Sequence, residues 1–334
     1  MALAQSRGEY AKIPMERTYY KARFFQRSQW LYMACFVLVA LLWLRPGSRV
    51  MGLLAPTALL VPTAFLIAGI VYRSVIRARP PVTTLYETIL FATAVAVVVA
   101  IALEYINRQR IAVSVGAVLG LVGLFVANKY ELSEGVDTMP SLVAVLDTNF
   151  WLSVHVTTIT MGYAASLLAG AIAHIYILGR LVTPGNRGEG FFRSVARMTY
   201  GVVCFAMLFS VIGTVFGGIW ANESWGRFWG WDPKENGALM IVLWQLVILH
   251  AHRGAHIRDL GVNVATVVLT IIVGFSWWGV NLLGVGLHSY GWTGGVARTL
   301  YVFYAVEAVV ALLGVAIWFR VRAGGARPSV EEQV

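Results

Sequence analysis

The stretch Trp225-Gly-Arg-Phe-Trp-Gly-Trp-Asp-Pro-Lys-Glu235 connects two long apolar segments of the chain. Three tryptophans and a phenylalanine fall within its first seven residues, although loops between apolar segments are normally polar. If the stretch is helical, Trp225, Phe228 and Trp229 share one face, because residues three and four apart are neighbours on a helix. Two interpretations are open: an aromatic belt that anchors the chain at a membrane interface, or a docking surface for a flat ligand.

The composition is that of a polytopic membrane protein. Of the 334 residues, 58% are hydrophobic and 13% are charged, against roughly 25% charged residues in soluble domains. The net charge of +10 does not indicate nucleic-acid binding, because Arg and Lys gather between apolar runs and at both ends. Cys35 and Cys204 lie in separate runs without a Cys-x-x-Cys, which argues against thiol redox chemistry, a cysteine-bound metal and covalent haem attachment. The first 29 residues contain no apolar core, so no cleavable signal peptide is expected.

The apolar runs predict an all-α fold, a helical bundle in the lipid bilayer with eight or nine transmembrane helices. A span needs roughly 20 residues, and about 17 can suffice. The first run is the shortest and counts as a probable span. The runs cover residues 30–45, 51–72, 85–104, 111–128, 151–179, 198–219, 236–252, 260–283 and 297–319. A basic N-terminal segment, residues 1–29, precedes them, and a short polar tail, residues 321–334, follows them.

The charges of the loops predict their side of the membrane. The connection at 180–197, the one after His250 and the C-terminus are basic and belong inside. The acidic connection at 129–150 belongs outside, as do the tryptophan-rich stretch and the Gly284–Gly295 loop. With nine spans, the scheme also places the basic N-terminus and the arginines at 73–79 outside. Both placements contradict the rule, and an N-terminus inside would require the first run not to span.

Two histidines are predicted near the outer surface. His155 lies near the outer end of its span, and His288 lies in an outer loop. The tryptophan-rich stretch falls between them in sequence and on the same predicted side. Two histidines that flank an aromatic surface are able to supply both axial ligands of a haem. The simpler interpretation is that each is a helix-end or loop histidine that is hydrogen-bonded to the backbone.

A third histidine is predicted at another depth. Asp232, Pro233 and Glu235 form the sequence pattern of a helix start with a capping box, which is also the simplest account of the two acidic residues. His250 comes 17 residues after Pro233, roughly 26 Å deeper at 1.5 Å per residue. It therefore needs a second site near the inner surface. His174, near the inner end of its span, is interpreted as packing or surface, or as a possible second ligand at that depth.

Four motifs in a fixed order resemble the haem-handling WWD-domain family, and their wording resembles its CcsA branch, called ResC in some bacteria. The matching motifs are Thr84-Leu-Tyr-Glu-Thr, Trp151-Leu-x-Val-His with Gly162-Tyr-Ala-Ala, Trp225-Gly-x-x-Trp-x-Trp-Asp-x-x-Glu, and Asn281-Leu-Leu-Gly-Val-Gly-Leu-His-Ser-Tyr-Gly. Leu249-His250 matches the position of the family's membrane-embedded histidine. The resemblance implies N-terminal transmembrane helices at 30–80 and a haem-handling core at 81–320 that includes the WWD loop at 220–236.

The resemblance implies the membrane subunit of the System II cytochrome c synthase, a haem lyase of the bacterial inner membrane with its WWD loop on the periplasmic side. Such a protein moves haem b outward and presents it to apocytochrome c, whose Cys-x-x-Cys-His thiols add across the haem vinyl groups. It implies that His155 and His288 ligate haem outside and act in the reaction, and that His250 ligates haem in the membrane. The second membrane histidine belongs to a CcsB (ResB) partner, so synthase activity is expected only with that partner.

The residues are compatible with this chemistry. Trp225, Trp229 and Trp231 offer faces on which the ring can stack, with Asp232 beside them. Arg227 or Arg298 is a suitable partner for a haem propionate. One alternative is a haem chaperone of the System I CcmC branch, which hands haem to a carrier protein. A second alternative, a solute transporter with an aromatic gate, lacks the expected inverted repeats and broken helices.

Overall fold

The computed structural model describes residues 10–45, 48–134, 139, 150–183, 188–288 and 294–325. The helices are α1 Ile13–Ala22, α2 Phe24–Leu44, α3 Arg49–Arg77, α4 Leu85–Asn107, α5 Ile111–Glu134, α6 Phe150–Val182, α7 Glu189–Trp225, α8 Pro233–Arg253, α9 Asp259–Trp277 and α10 Gly294–Gly325. Short 3-10 helices cover Tyr10–Lys12 and Gly279–Leu283. Most of the acidic connection at 129–150, the end of the histidine motif at 289–291 and the tail beyond 325 lie outside the described residues.

The predicted all-α membrane bundle is confirmed. Within the described ranges, eight helical segments are long and apolar enough to cross a membrane. The first apolar run, counted as only probable, belongs to one of them, Tyr10–Leu44. The run at 236–252 forms α8 but is not among the eight, because Lys234, Glu235, Asn236 and Gln245 dilute its apolar character.

The residues group into two compact units. Unit 1 comprises residues up to Leu168 together with Leu208–Gly230, and unit 2 comprises Ala169–Met207 and everything from Trp231 onward. The helices α6 and α7 each contribute one part to unit 1 and another part to unit 2. The boundary at Gly230 falls inside the tryptophan-rich stretch.

In unit 1, α2 packs against α3 and α5, and α4 packs against α3 and α5. Thr84 caps α4 by accepting a hydrogen bond from the backbone N–H of Glu87 at 3.2 Å. The buried Glu87 carboxylate lies 3.0 Å from the Arg73 guanidinium and 3.4 Å from that of Arg79. The Thr-Leu-Tyr-Glu motif thus starts a helix and compensates two buried arginines. Because Arg73 and Arg79 are partly neutralised inside the protein, these two residues are poor indicators of topology.

In unit 2, α9 packs against α8 and α10, and the 3-10 helix Gly279–Leu283 follows α9 directly. Small residues allow this close packing. A Cβ atom on Gly237 of α8 would lie 2.6 Å from the Ser276 hydroxyl of α9. The Lys234 ammonium at the start of α8 donates a hydrogen bond to the Trp277 carbonyl at 2.6 Å, which ties the beginning of α8 to the end of α9.

The helical arrangement considered for the tryptophan-rich stretch is wrong. Only Trp225 belongs to a helix, as the last residue of α7, and residues 226–232 have no regular structure. Gly226 has φ +70° and Trp231 has φ +57°, so two left-handed residues prevent the helix from continuing. The aromatic side chains therefore do not form one helical face.

Candidate functional site

His155 is held in unit 1 by α7. Its Nδ1 lies 2.8 Å from the carbonyl oxygen of Gly213. A carbonyl oxygen only accepts, so Nδ1 carries the proton and the lone pair of the neutral ring is on Nε2. The imidazole also stacks on Trp220, with ring centroids 6.2 Å apart and planes 7° from parallel. Both contacts fix the plane of the ring.

A Gly-x-x-x-Gly pair makes room for this ring. A Cβ on Gly217 would lie 2.6 Å from His155 Cε1, and one on Gly213 would lie 2.7 Å from the Cα of Ile159. His155 and Ile159 are four residues apart on α6, as the two glycines are on α7. The glycines therefore permit the close approach of two helices through which His155 is positioned, a use of small residues typical of membrane helices.

Asp232 has two structural roles in unit 2. Its Oδ1 accepts the backbone N–H of Lys234 at 2.9 Å, while the Glu235 carboxylate accepts the N–H of Asp232 at 3.1 Å, which completes the predicted capping box of α8. Its Oδ2 accepts the backbone N–H of Leu287 at 2.6 Å. The carboxylate thus caps a helix and also holds the distant loop that carries His288.

His288 lies against the same carboxylate, with Nδ1 3.0 Å from Oδ1 of Asp232. Burial tends to raise the pKa of Asp232, but hydrogen bonds from the backbone of Lys234 and Leu287, together with His288, hold that pKa below its ordinary value. Burial lowers the pKa of His288 more than Asp232 raises it. The pair is therefore a carboxylate beside a neutral imidazole, an arrangement that favours the proton on Nδ1 and the lone pair on Nε2.

Gly286 permits this contact. It has φ +88°, and a Cβ there would overlap Oδ2 of Asp232. A side chain at this position would both strain the backbone and displace the carboxylate from the loop. This requirement accounts for a glycine two residues before His288.

The aromatic residues of the stretch fall into two groups. Trp220 is 1% exposed and packs edge-on against Trp225, with ring centroids 4.7 Å apart. By contrast, Phe228 is 49% exposed and Trp231 is 69% exposed. Trp229 is half-buried. Trp220, with the partly buried Trp225 against it, supports His155, whereas the exposed rings present an accessible π surface.

Arg227 lies in the same loop as these rings. Its guanidinium carbon is 5.8 Å from the centre of the Trp225 ring. A Cβ on Gly230 would overlap the guanidinium, so this glycine leaves the space that Arg227 occupies. Arg298, the other predicted propionate partner, is exposed on α10 in unit 2.

His250 lies 17 residues along α8, as predicted from the helix start, and its side chain is exposed. Its Nδ1 is 2.9 Å from the carbonyl oxygen of Leu246 one turn earlier, so the lone pair is again on Nε2. This contact lies within α8, whereas His155 and His288 contact residues that are distant in sequence. The orientation of the His250 ring therefore depends on its own helix alone.

His174 is engaged inside unit 2. Its Nδ1 lies 2.8 Å from the Gly170 carbonyl, and its Nε2 lies 3.6 Å from a carboxylate oxygen of Glu307 on α10. Glu307 is 6% exposed and also accepts a hydrogen bond from the Thr270 hydroxyl at 2.7 Å. Both ring nitrogens of His174 therefore face protein oxygens. Sequence reasoning missed Glu307, although an acidic residue within an apolar run is a usable signal.

The predicted site residues thus assemble within each unit as follows. Unit 1 brings together His155, Trp225 and Arg227 with Trp220, which the sequence analysis did not single out as a site residue. Unit 2 brings together Asp232 and His288, and it holds His250 elsewhere on α8. Among the described residues, no three His, Cys, Asp or Glu side chains converge as ligands of a bare metal ion.

Comparison with known proteins now decides the family. Residues 82–292, more than half of the chain, match the family described as cytochrome C assembly protein. The chain belongs to this family. Membership gives it a part in cytochrome c maturation, and the resemblance inferred from the four motifs is confirmed.

Similar proteins carry the name cytochrome c biogenesis protein CcsA. The Synechococcus sp. (strain CC9605) protein is 28% identical over 240 residues, which cover 64% of this chain and 78% of that one. The Guillardia theta protein is 29% identical over 243 residues, with 64% and 77% covered. The Cucumis sativus protein is 28% identical over 278 residues, with 70% and 84% covered.

A solved structure, cytochrome c heme lyase CcmF, shares the fold of this cytochrome c assembly protein. The TM-score is 0.59 at 16% sequence identity, and the match covers 90% of this chain. This chain spans about half of that protein, since the match covers 51% of it. The likeness supports the helical architecture.

Proposed function

We propose that this protein is the membrane subunit of a System II cytochrome c synthase in a bacterial inner membrane, with the WWD loop on the periplasmic side. Residues 81–320 form its haem-handling core, preceded by helices at 30–80. It moves haem b outward and presents it to apocytochrome c, whose two thiols add to the vinyl groups. The chain itself binds and orients haem, because the addition is chemistry between haem and thiol.

The placement of the histidine Nδ1 atoms is the observation that carries this proposal. Nδ1 of His155 and Nδ1 of His250 lie 2.8 and 2.9 Å from a backbone carbonyl oxygen, and Nδ1 of His288 lies 3.0 Å from the Asp232 carboxylate. A ring that is neutral with its proton on Nδ1 has its lone pair on Nε2, as in histidines that bind a metal while a neighbouring oxygen fixes the other nitrogen. His155 and His288 are the proposed axial ligands of the outer haem, and the acceptor's own histidine later displaces one of them.

The aromatic loop supports a flat apolar ligand. Phe228 and Trp231 are exposed, and in unit 1 the buried Trp220 stacks on His155 and packs against the partly buried Trp225. Aromatic faces stack on flat rings, and Trp229 adds a half-buried face. Arg227 supplies a guanidinium for a propionate of the bound haem, a bond that arginine makes in a bidentate geometry.

His250 is the proposed ligand of a second haem position, nearer the inner surface. A low-spin haem there needs another axial ligand. His174 is a poor candidate, because its Nε2 faces Glu307 at 3.6 Å and its Nδ1 faces Gly170. The second ligand is therefore assigned to a partner chain of the CcsB type, and positioning by the two chains supplies the catalytic effect.

The outer site is tested by absorbance spectroscopy of protein purified from haem-replete cells. The wild type is expected to show a Soret band with low-spin features. His155→Ala or His288→Ala should abolish the low-spin spectrum and cytochrome c maturation, and added imidazole should restore part of both by refilling the axial position. His252→Ala is the matched control, because His252 belongs to neither proposed haem site: its ring packs against Tyr200, with ring centroids 4.9 Å apart, and its Nδ1 lies 3.4 Å from the Ile257 carbonyl.

Two results would contradict the proposal. Normal cytochrome c maturation in both single variants would contradict the outer bis-histidine site. The absence of a Soret band from wild-type protein made in haem-rich cells would contradict the proposal that the protein handles haem. Size-exclusion chromatography of each variant distinguishes lost ligation from lost folding.

A further inference from the structure

A basic notch lies at the junction of α1 and α2, far in sequence from the haem-handling residues. It has a volume of about 760 Å³ and is lined by Tyr20, Lys21, Arg23, Gln26, Arg27 and Trp30. The function proposed above uses none of these residues. The lining contains three cations and no acidic side chain.

The notch owes its shape to one backbone residue. Arg23 ends α1 and begins α2 with φ +46° and ψ +49°, a left-handed conformation that bends the chain between the two helices. The helix then restarts at once, since the Arg27 N–H donates to the Arg23 carbonyl at 3.0 Å. Lys21 and Arg27 consequently lie on either side of a fixed bend and line one notch.

The apolar side of α1 is held against the rest of unit 1. Tyr19 is buried in a cluster with Ile76, and Phe24 and Phe25 pack against it. The Arg73 guanidinium donates a hydrogen bond to the Tyr19 hydroxyl at 3.2 Å. Because these contacts fix α1, the following residues Tyr20 and Lys21 are exposed in a defined position.

The cations of the notch are not used within the described protein. Among the described residues, Lys21, Arg23 and Arg27 form no ion pair with a carboxylate. Three neighbouring cations repel each other unless an anion lies among them, so the notch is electrostatically complementary to a phosphate group. Gln26 adds a neutral hydrogen-bond donor to the same lining.

The position of the notch identifies the source of that phosphate. It lies on the helical segment Tyr10–Leu44, at the polar start of a candidate membrane span. Trp30 is 63% exposed and Tyr20 is 56% exposed, and such rings typify the level of lipid headgroups. Basic residues at this level attract anionic lipids.

We propose that the basic notch binds the phosphate headgroup of an anionic phospholipid. Lys21, Arg23 and Arg27 contact the phosphate, while Trp30 and Tyr20 lie at the level where headgroup meets acyl chain. This lipid site is independent of haem binding. It anchors the start of the first long helix at a fixed depth in the bilayer.

The test measures lipid retention by the full chain in detergent, by native mass spectrometry, at one ionic strength. Phosphatidylglycerol should be retained in preference to phosphatidylcholine. Lys21→Gln/Arg27→Gln should weaken the phosphatidylglycerol complex on the order of 30-fold, from two lost cations at about 1 kcal/mol each. Arg23 is left unchanged in this variant, so that the bend itself is not disturbed.

The matched control is Lys12→Gln/Arg17→Gln, which removes a half-buried and an exposed cation from the same region, neither of which lines the notch. This control should retain the lipid, and inorganic phosphate at equal concentration should not displace it. An equal loss in both double variants would indicate diffuse attraction and overturn the proposal. Equal retention of phosphatidylcholine, or full displacement by inorganic phosphate, would overturn it as well.

Discussion

At the scale of single residues, glycine has a positioning role beside His155. Gly217 allows the imidazole to lie directly against α7, where Gly213 accepts its Nδ1 proton. The ring is thereby fixed before any ligand arrives, and preorganised ligands bind metals with less loss of entropy. A histidine alone in the sequence carries no sign of this support, but the Gly-x-x-x-Gly spacing on α7 does.

We therefore expect Gly217→Ala to weaken haem ligation by His155. The new Cβ would lie 2.6 Å from Cε1, so the ring must shift away from the Gly213 carbonyl. The measurement is the low-spin Soret spectrum with a thermal unfolding midpoint for the same sample. Gly201→Ala, on the same helix with nothing within 4 Å of the added Cβ, is the control and should leave the spectrum unchanged. An unaltered spectrum in Gly217→Ala would show that the position of His155 does not depend on this contact.

At the scale of elements, the start of α8 combines stability with site geometry. One carboxylate caps the helix and holds the loop of His288, so the helix start and the outer ligand are coupled. The capping box alone accounts for Asp232 from sequence. Only the packed loop reveals that the same side chain contacts His288.

Substitutions at Asp232 separate these two roles. Serine caps helices about as well as aspartate, but it is too short to hold Leu287 and His288 as well. Asp232→Ser should therefore keep thermal stability near that of the wild type and lose the low-spin haem signal. Asp232→Ala should lose the signal and also about 1 kcal/mol of stability with the cap. If the serine variant keeps normal haem spectra while the alanine variant does not, Asp232 acts as a cap only.

At the scale of the whole molecule, the exposed His250 is the histidine proposed for the deeper haem position, and His174 is already paired with Glu307. We expect the chain alone to mature cytochromes poorly, because one axial position of the inner haem stays without a protein ligand. Coexpression with a CcsB-like protein should raise the yield of covalent cytochrome c. His250→Ala should remove that gain, whereas His174→Ala should not. Full maturation by the chain alone, unaffected by His250→Ala, would exclude both the inner site and the need for the partner.

Hydrophobic periodicity and composition determined the helical bundle. In lipid, each apolar run must hydrogen-bond its own backbone N–H and C=O groups, and a helix does so within the run itself. The run 236–252 also forms a helix, α8, although its polar residues make it less apolar than the eight candidate spans. The motif sequence also predicted the helix cap at Asp232, because capping depends on residues three apart. A helix cap is therefore predictable from a few neighbouring residues of the sequence.

Contacts between distant residues were decided only by the tertiary structure. A helical stretch would put Trp225, Phe228 and Trp229 on one face, but left-handed residues at Gly226 and Trp231 interrupt it and leave some rings half-buried and others exposed. The Gly213 carbonyl that sets the tautomer of His155 is 58 residues away in sequence. The sequence by itself named the histidines and the helices, and the fold decided which oxygen each Nδ1 faces, because hydrogen bonds between distant segments depend on packing that no local pattern records.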